Sequence, residues 1–578
     1  MTETVPPQPG STPKSLQRRL GGGPALTLLI AALLALPLGV VVVAMLTPTV
    51  DVWQHMWATR LPEMLTNTAI LVLGVGTGTA VLGTGLAWLV VAYRFPGRAL
   101  FRWLLILPLA MPTYVLAFVF MSTFDFAGPV QSALRAWFGP DVWFPDVRSG
   151  TGVIIVMTLV LYPYVYLLAR AAFHEQSAVT FEAAQTLGDS RRAAFFRVVL
   201  PLARPSIAAG LTLALMEALT DIGAVRFLNF PTITDGIFRV WLGMGERNAA
   251  VELAGVLLLF ALVVILFERR MRGRARYYQA GGRDRGIVPV QLSGRAAWLA
   301  TGACTLVLGA AFFLPVSRLV AWVVTEMAKG APGVFDALYW GFARNSLMLS
   351  GAATAVAVSV ALILANGVRL SKGRSVRLGV RLATMGYAMP GAVVAFGVLV
   401  LLSSVDHALN GLSQQFWGVD VGLLLTGTAV GLIYAYVVRF MAVGYYSVEA
   451  SLEKVTPSMD DAARTLGASS SRVLRRIHLP LVRVGMFTGA TLLFVDMMKE
   501  LPITLLLRPF GYDTLSVWVW QMASESLWAA AALPALTIVV TGLIPVMLLR
   551  HAATSRNWIR PLSAGATAAD VEPVEVDR

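Results

Sequence analysis

The sequence is short of the residues that build disulfides, metal centres and water-facing surfaces. A single cysteine in 578 residues, Cys304, excludes an intrachain disulfide and any multi-cysteine metal site. It sits in an apolar run, where core packing is its expected role. The five histidines (His55, His174, His407, His478 and His551) share no ligand spacing, and neither HExxH nor CxxC occurs, so zinc chemistry is not expected. The phosphate-binding pattern G-x-x-x-x-G-K-S/T is also missing; the glycine-rich run from Gly74 to Gly85 has no lysine and lies in an apolar stretch, where small residues favour helix contacts. With no convergent nucleophile, base or metal ligands, the chain is not expected to be an enzyme or to hydrolyse ATP itself. Charged residues make up only 13%, against about 25% in soluble domains.

What the chain has instead is apolar length: 57% hydrophobic residues and a mean hydropathy of +0.70. Crossing a bilayer in a helix takes about 20 mostly apolar residues, because hydrocarbon cannot satisfy free backbone groups. Twelve stretches meet that length: Ala25 to Leu46, Thr68 to Tyr93, Trp103 to Phe124, Val153 to Phe173, Ser206 to Leu228, Val251 to Phe267, Trp298 to Val324, Ser346 to Val368, Leu378 to Leu402, Val421 to Tyr445, Val484 to Leu507 and Trp528 to Leu549. The expected fold is an all-α integral membrane protein with twelve transmembrane helices. A cleaved signal peptide is the alternative for the first stretch; its 22-residue apolar length favours a retained helix.

The formal charge of +14 suggests nucleic acid in a soluble protein, but here the cations cluster between apolar runs. Nucleic acid is therefore not an expected partner; the lipid bilayer is. Short cytoplasmic loops carry excess Lys and Arg, and a cytoplasmic N-terminus puts most of the 46 cations on that side, including Arg191, Arg192, Arg197, Arg374, Arg377, Arg472 and Arg476. Both termini then face the cytoplasm. The expected organisation is a tail over residues 1–24, a first repeat over 25–268, a basic linker over 269–296, a second repeat over 297–550 and a tail over 551–578.

The two repeats are visible as punctuation. Glu182-Ala183-Ala184, Gly188 and Leu200-Pro201 recur as Asp461-Ala462-Ala463, Gly467 and Leu479-Pro480 at an offset of 279 residues; Asn67 recurs as Asn345, and Ala110-Met111-Pro112 as Ala388-Met389-Pro390, at 278. Each repeat has an even number of spans, so the repeats are parallel, related by an axis along the membrane normal, with the pathway between them. The expected form of loops 174–205 and 447–484 is a short helix, a reversal at Gly188 or Gly467, and a second helix running into the next span. Taken alone, Glu182 or Asp461 also reads as a helix-capping acid. Pro112 and Pro390 are expected to kink their helices.

The pattern E-A-A-x3-G-x9-I-x-L-P, present twice, resembles the coupling-loop signature of ABC importer permeases, and its duplication makes the chain similar to a fused, two-in-one permease of a binding-protein-dependent importer. The resemblance implies that the loops seat in grooves of two copies of an ABC ATPase subunit through Glu182, Ala183, Ala184, Gly188 and Pro201, and Asp461, Ala462, Ala463, Gly467 and Pro480. The departures are Asp461 for Glu and Val198 for Ile. It also implies that ATP and Mg are used by that partner ATPase, that no cofactor is bound by this chain, that substrate arrives on a periplasmic or surface solute-binding protein, and that the chain lies in a bacterial inner membrane. The stretches from Asp496 to Pro502 and from Glu217 to Val225 resemble those of ferric-iron importer permeases.

Charge inside the spans points the same way. Glu217 and Asp221 are four apart, as on one helix face, and Asp496 and Glu500 occupy the equivalent places. Ionisable groups in spans are costly and face a cavity or a partner. These four acids, with Lys499, form the candidate substrate pathway. Carboxylate oxygens suit a hard trivalent cation; no stable metal site is expected, only transient ferric contact at Glu217, Asp221, Asp496 and Glu500. The alternative is that the acids pair with Lys499 and Arg226 to hold helices together. Tyr162, Tyr164, Tyr434 and Tyr436, a repeated pair, and Met497 with Met498 read as packing.

Other cargoes remain open: a polyamine, thiamine or another small solute in the same architecture. A secondary transporter driven by an ion gradient is the reading from a different class, and the paired E/D-A-A loops argue against it.

Overall fold

The computed structural model describes residues 22–176, 178–272, 287–329, 336–371, 373–453, 455–467 and 470–554. Most of the two expected tails and the middle of the expected linker lie outside the described residues. Among the described residues, eleven helices are long and apolar enough to cross a bilayer, and a twelfth span is supplied by a bent pair, Arg476–Arg483 and Gly485–Met498, meeting at 56°. The fold is the expected helical membrane one, two parallel six-span repeats, with one two-residue strand pair besides the helices. Large apolar side chains lie on the outside, such as Leu73 at 70% exposed and Val81 at 69%. Hydrocarbon, and not water, is the medium that suits them.

The first span of each repeat packs on the other repeat. Gly23–Ala44 lies against the eighth and ninth spans, Ala337–Leu370 and Gly391–Trp417, and Gly294–Ala328 lies against the third span, Thr113–Phe138, of the first repeat as well as against the twelfth, Trp528–Met547, of its own. Small residues make the first of these approaches possible. A Cβ on Gly397 would sit 2.4 Å from the Pro37 carbonyl oxygen, and the Tyr434 hydroxyl donates to the Leu33 carbonyl at 2.6 Å. On the opposite side of the pseudo-twofold, Phe118 stacks on Trp322 with centroids 6.2 Å apart. Between the repeats, Val290–Gln291 forms a short parallel pairing with Tyr93–Arg94, which fixes the end of the connecting segment to the first repeat before the seventh span begins.

Four expected spans are not continuous helices. The third and ninth are each interrupted: a short helix, Arg98–Leu104 or Arg374–Ala383, is followed by a 3-10 turn and a fresh helix start. Pro112 and Pro390 therefore do not kink a helix. Each occupies the extended position immediately before a new helix, Thr113–Phe124 or Gly391–Trp417, where a missing N–H leaves no intrahelical bond unmade. The fifth helix stops at Thr220 and not at Leu228, and the eleventh at Met498 and not at Leu507; each is succeeded by a short helix, Gly223–Phe227 or Pro502–Leu507.

Backbone freed at these breaks is satisfied again by side chains, as hydrocarbon requires. Thr234 donates to the Leu219 carbonyl at 2.6 Å and Ser516 to the Glu500 carbonyl at 3.0 Å. Loops after the short helices are held by a repeated device. Asn67 donates to the Pro231 carbonyl at 2.9 Å and Asn345 to the Asp513 carbonyl at 3.1 Å, while Thr68 and Ser346 accept from the backbone of Ile233 and Leu515. This is the physical content of the Asn67 and Asn345 repeat. Cys304 is fully buried.

Candidate functional site

Two features of the sequence acquire geometry. In the first E-A-A loop, a helix over Ala178–Thr186 ends at Gly188, whose φ of +95° is in the left-handed region, and the chain resumes in Arg191–Ala194, capped by the Ser190 hydroxyl. The second loop repeats the course with Pro457–Thr465, Gly467 at φ +78° and Ser470–Val473. Both glycines are thus at reversals that an L side chain disfavours.

Each second helix then passes through one π-helical turn, Phe195–Val199 or Leu474–His478, directly before Leu-Pro. Proline at 201 or 480 has no N–H and its ring displaces the carbonyl four residues back, so a widened turn accommodates it without breaking the helix. The same sequence of π turn and Leu-Pro occurs at Gly309–Phe313 before Leu314-Pro315.

Glu182 and Ala183 are exposed, as is Ala462, whereas Ala184 and Ala463 are buried against the fold. Asp461 lies in the helix Pro457–Thr465. Between them project two side chains that the sequence reading passed over: Leu187 is 88% exposed and Leu466 is 87% exposed. They stand just before the two turn glycines at the same offset, on a polar loop. The first loop is anchored by Phe181 and Phe195, which surround Trp88 of the second span at 5.9 and 4.6 Å between centroids.

The second feature is a cavity of about 70 Å³ between the repeats. Thr113, Tyr114, Tyr164, Glu217 and Asp221 line it from the first repeat, and Arg439, Asp496, Lys499 and Glu500 from the second. All four acids of the candidate pathway, and Lys499, are therefore in one place. They do not stand as expected, because both helices end between the members of each pair. Glu217 is in the fifth helix, but Asp221 follows it in extended conformation; Asp496 is in the eleventh, and Glu500 comes after its C-cap, Lys499.

Asp221 and Glu500 instead do equivalent work at the start of the following short helices. Asp221 accepts from the Ala224 N–H at 2.6 Å and Glu500 from the Ile503 N–H at 3.2 Å, the geometry of N-terminal capping. Asp221 also accepts from the Thr113 hydroxyl.

Ion pairing accounts for part of the set. Lys499 bonds Asp496 at 2.9 Å. Arg226 does not pair with the acids of the cavity; its partner is Asp235, at 3.6 Å, which also binds Arg239. The cation that does bind them, Arg439 of the tenth span, was missed. It is 3% exposed, with Nη2 3.4 Å from Glu217 and Nε 3.6 Å from Glu500, so it joins a carboxylate of each repeat. Its only advance signal was an arginine within an otherwise apolar span.

Tyr114 was also missed: its hydroxyl is buried at the cavity with no hydrogen-bond partner. The repeated tyrosines divide. Tyr162 bonds the Leu105 carbonyl at 2.9 Å and Tyr436 the Thr504 hydroxyl at 2.5 Å, both as packing, while Tyr164 faces the cavity. Among the described residues, no three His, Cys, Asp or Glu side chains converge to hold a metal ion.

Two parallel membrane repeats, enclosing a charged cavity and bearing paired polar loops, define a permease. The family described as "Binding-protein-dependent transport system inner membrane component" matches residues 80–277 and 354–556, more than half of the sequence, and the chain belongs to that family, as a fused double-domain ABC importer permease of the inner membrane. It is similar to the Fe(3+)-transport system permease protein FbpB 2 of Haemophilus influenzae, 29% identical over 86% of this chain and 90% of that protein. Single-repeat relatives match as well. The sulfate transport system permease protein CysT of Salmonella typhimurium is 28% identical over 43% of this chain and 90% of its own length. The molybdenum transport system permease protein ModB of Escherichia coli is 30% identical over 32% and 81% respectively.

Proposed function

We propose that the chain carries ferric iron from a solute-binding protein into the cytoplasm by alternating access, driven by two copies of a separate ABC ATPase seated on loops 174–205 and 447–484. The observation that carries the cargo assignment is the cavity: four carboxyls from both repeats against two cations, a set that favours a compact, highly charged cation over an anion. The full-length likeness to a permease named for Fe(3+) transport supports the same choice. The sulfate and molybdenum relatives match only one repeat at a time, and an oxyanion would meet the carboxyls unfavourably. The cation bias of the loops supports a cytoplasmic placement of both termini and both coupling loops.

Coupling is assigned to Glu182, Ala183, Ala184, Gly188 and Pro201 with Asp461, Ala462, Ala463, Gly467 and Pro480, and the exposed Leu187 and Leu466 are added as apolar tips for the ATPase grooves. ATP and Mg belong to the ATPase. Closure of the ATPase pair moves the two loops together, and the connection from Phe181 to Trp88 carries that movement into the second span. Reversing charge at both loops, Glu182→Lys with Asp461→Lys, is expected to abolish ATPase association or stimulated turnover while the permease stays folded. Normal stimulated turnover and uptake in that double variant would refute the coupling assignment.

A further inference from the structure

The two repeats solve one electrostatic problem differently, and the difference singles out Arg439. In the first repeat, Thr113 follows Pro112 and its hydroxyl binds Asp221. The matching position after Pro390 is Gly391, which offers Glu500 no side chain. A Cβ there would stand 2.6 Å from Arg439 Nη1 and 3.0 Å from Glu500 Oε1; the absence of a side chain is what lets the guanidinium lie beside the carboxylate. Arg439 itself corresponds, at the offset of 279 residues between the helix starts Gly150 and Ala429, to Val160, which lines the same cavity. The exchange of Thr for Gly and of Val for Arg thus goes together: one repeat satisfies its acid with a neutral hydroxyl, the other with a buried cation.

That cation reaches across. Nη2 is 3.4 Å from Glu217 of the first repeat and Nε 3.6 Å from Glu500 of the second, while Nη1 is 3.5 Å from the Thr220 hydroxyl. These are long contacts, and Nε makes no hydrogen bond at all. A fork held loosely between two carboxylates is a poor structural cement. It is well suited to being displaced. A second polar group at the same cavity is also unsatisfied, the buried Tyr114 hydroxyl. The cavity therefore holds hard oxygen ligands, one of them idle and two occupied by a weakly bound internal cation.

We propose that Arg439 is a tethered counter-cation: it occupies Glu217 and Glu500 in the unloaded permease, and a multivalent cargo cation must displace it, which both excludes monovalent ions and releases the clasp between the repeats. This rests on the cation reading of the cavity given above. Lys499, paired with Asp496 on its own helix, does not cross between repeats and is not part of the device.

The test is direct metal binding by the full-length chain in nanodiscs of zwitterionic lipid, with terbium(III) alone as probe and tyrosine-sensitised luminescence as readout. Arg439→Gln is expected to create a saturable site at least tenfold tighter than in the wild type, and adding Glu217→Gln and Glu500→Gln is expected to remove that gain. Arg439→Lys, which replaces the fork by a point charge, is expected to give a smaller gain, and it serves as the second variant should Arg439→Gln fail to insert. Wild-type affinity in both folded variants, or a gain that survives the triple substitution, would overturn the proposal. Iron uptake is a separate measurement. A gain in terbium binding without ferric uptake by the wild type would leave the clasp standing and remove the cargo assignment; ferric uptake without the gain would do the reverse.

Discussion

Glycine decides how closely groups meet at the cavity. A Cβ on Gly223 would lie 2.3 Å from the Tyr114 Cβ, and one on Gly391 would press on both Arg439 and Glu500. Gly391→Ala is therefore expected to destabilise by about 1–3 kcal/mol through overpacking and to lower uptake, whereas Gly85→Ala, in a helix interior where nothing lies within 4 Å, lowers neither; thermal unfolding and uptake of the two variants provide the comparison. The four acids were legible in the sequence because charge in an apolar span is costly and so stands out. Their arrangement was not. A spacing of four implies a shared face only while the helix continues, and it ends after Thr220 and Met498. Arg439 escaped notice because its partners lie in spans distant in sequence, and Arg226 was assigned to the wrong acids because Asp235, its true partner, belongs to a later short helix.

Elements of the coupling loops follow from local chemistry, which is why they could be read in advance. Gly188 and Gly467 sit at positive φ, and a π turn precedes Leu-Pro at the start of each following span. Placing a β-branched residue at either turn, Gly188→Val or Gly467→Val, is expected to cost about 1–2 kcal/mol of backbone strain and to lower ATPase stimulation. Gly188→Asn, which tolerates that backbone better, retains more of it. Equal stimulation in the Val and Asn variants would show that the reversal is not what positions the loop.

The breaks in the third, fifth, ninth and eleventh spans were harder to see. Apolar composition continues across them, with prolines and glycines such as Pro108, Pro112, Gly223, Gly386, Pro390 and Pro502 as the punctuation; hydropathy measures solvent preference and does not register where a hydrogen-bond ladder stops. The proline signal was present and misassigned, since a proline before a helix and a proline within one look alike in a continuous apolar stretch.

At the scale of the whole molecule, the repeat offset announced the parallel architecture, while the packing of each first span on the opposite repeat left no trace in sequence, because lipid-facing and protein-facing apolar surfaces have the same composition. That packing, together with the Val290–Gln291 pairing, joins the two halves. The cavity between them is the proposed place of cargo recognition. The measurement that bears most directly on it is ATP-dependent uptake into proteoliposomes containing the full chain, its ATPase and its solute-binding protein, with ferric iron, sulfate, molybdate, a polyamine and thiamine offered in parallel. Ferric uptake that depends on ATP and falls at least tenfold in Glu217→Gln with Glu500→Gln is the expected result; accumulation of an oxyanion or an organic solute in place of iron, or ferric uptake indifferent to those carboxylates, would contradict the account.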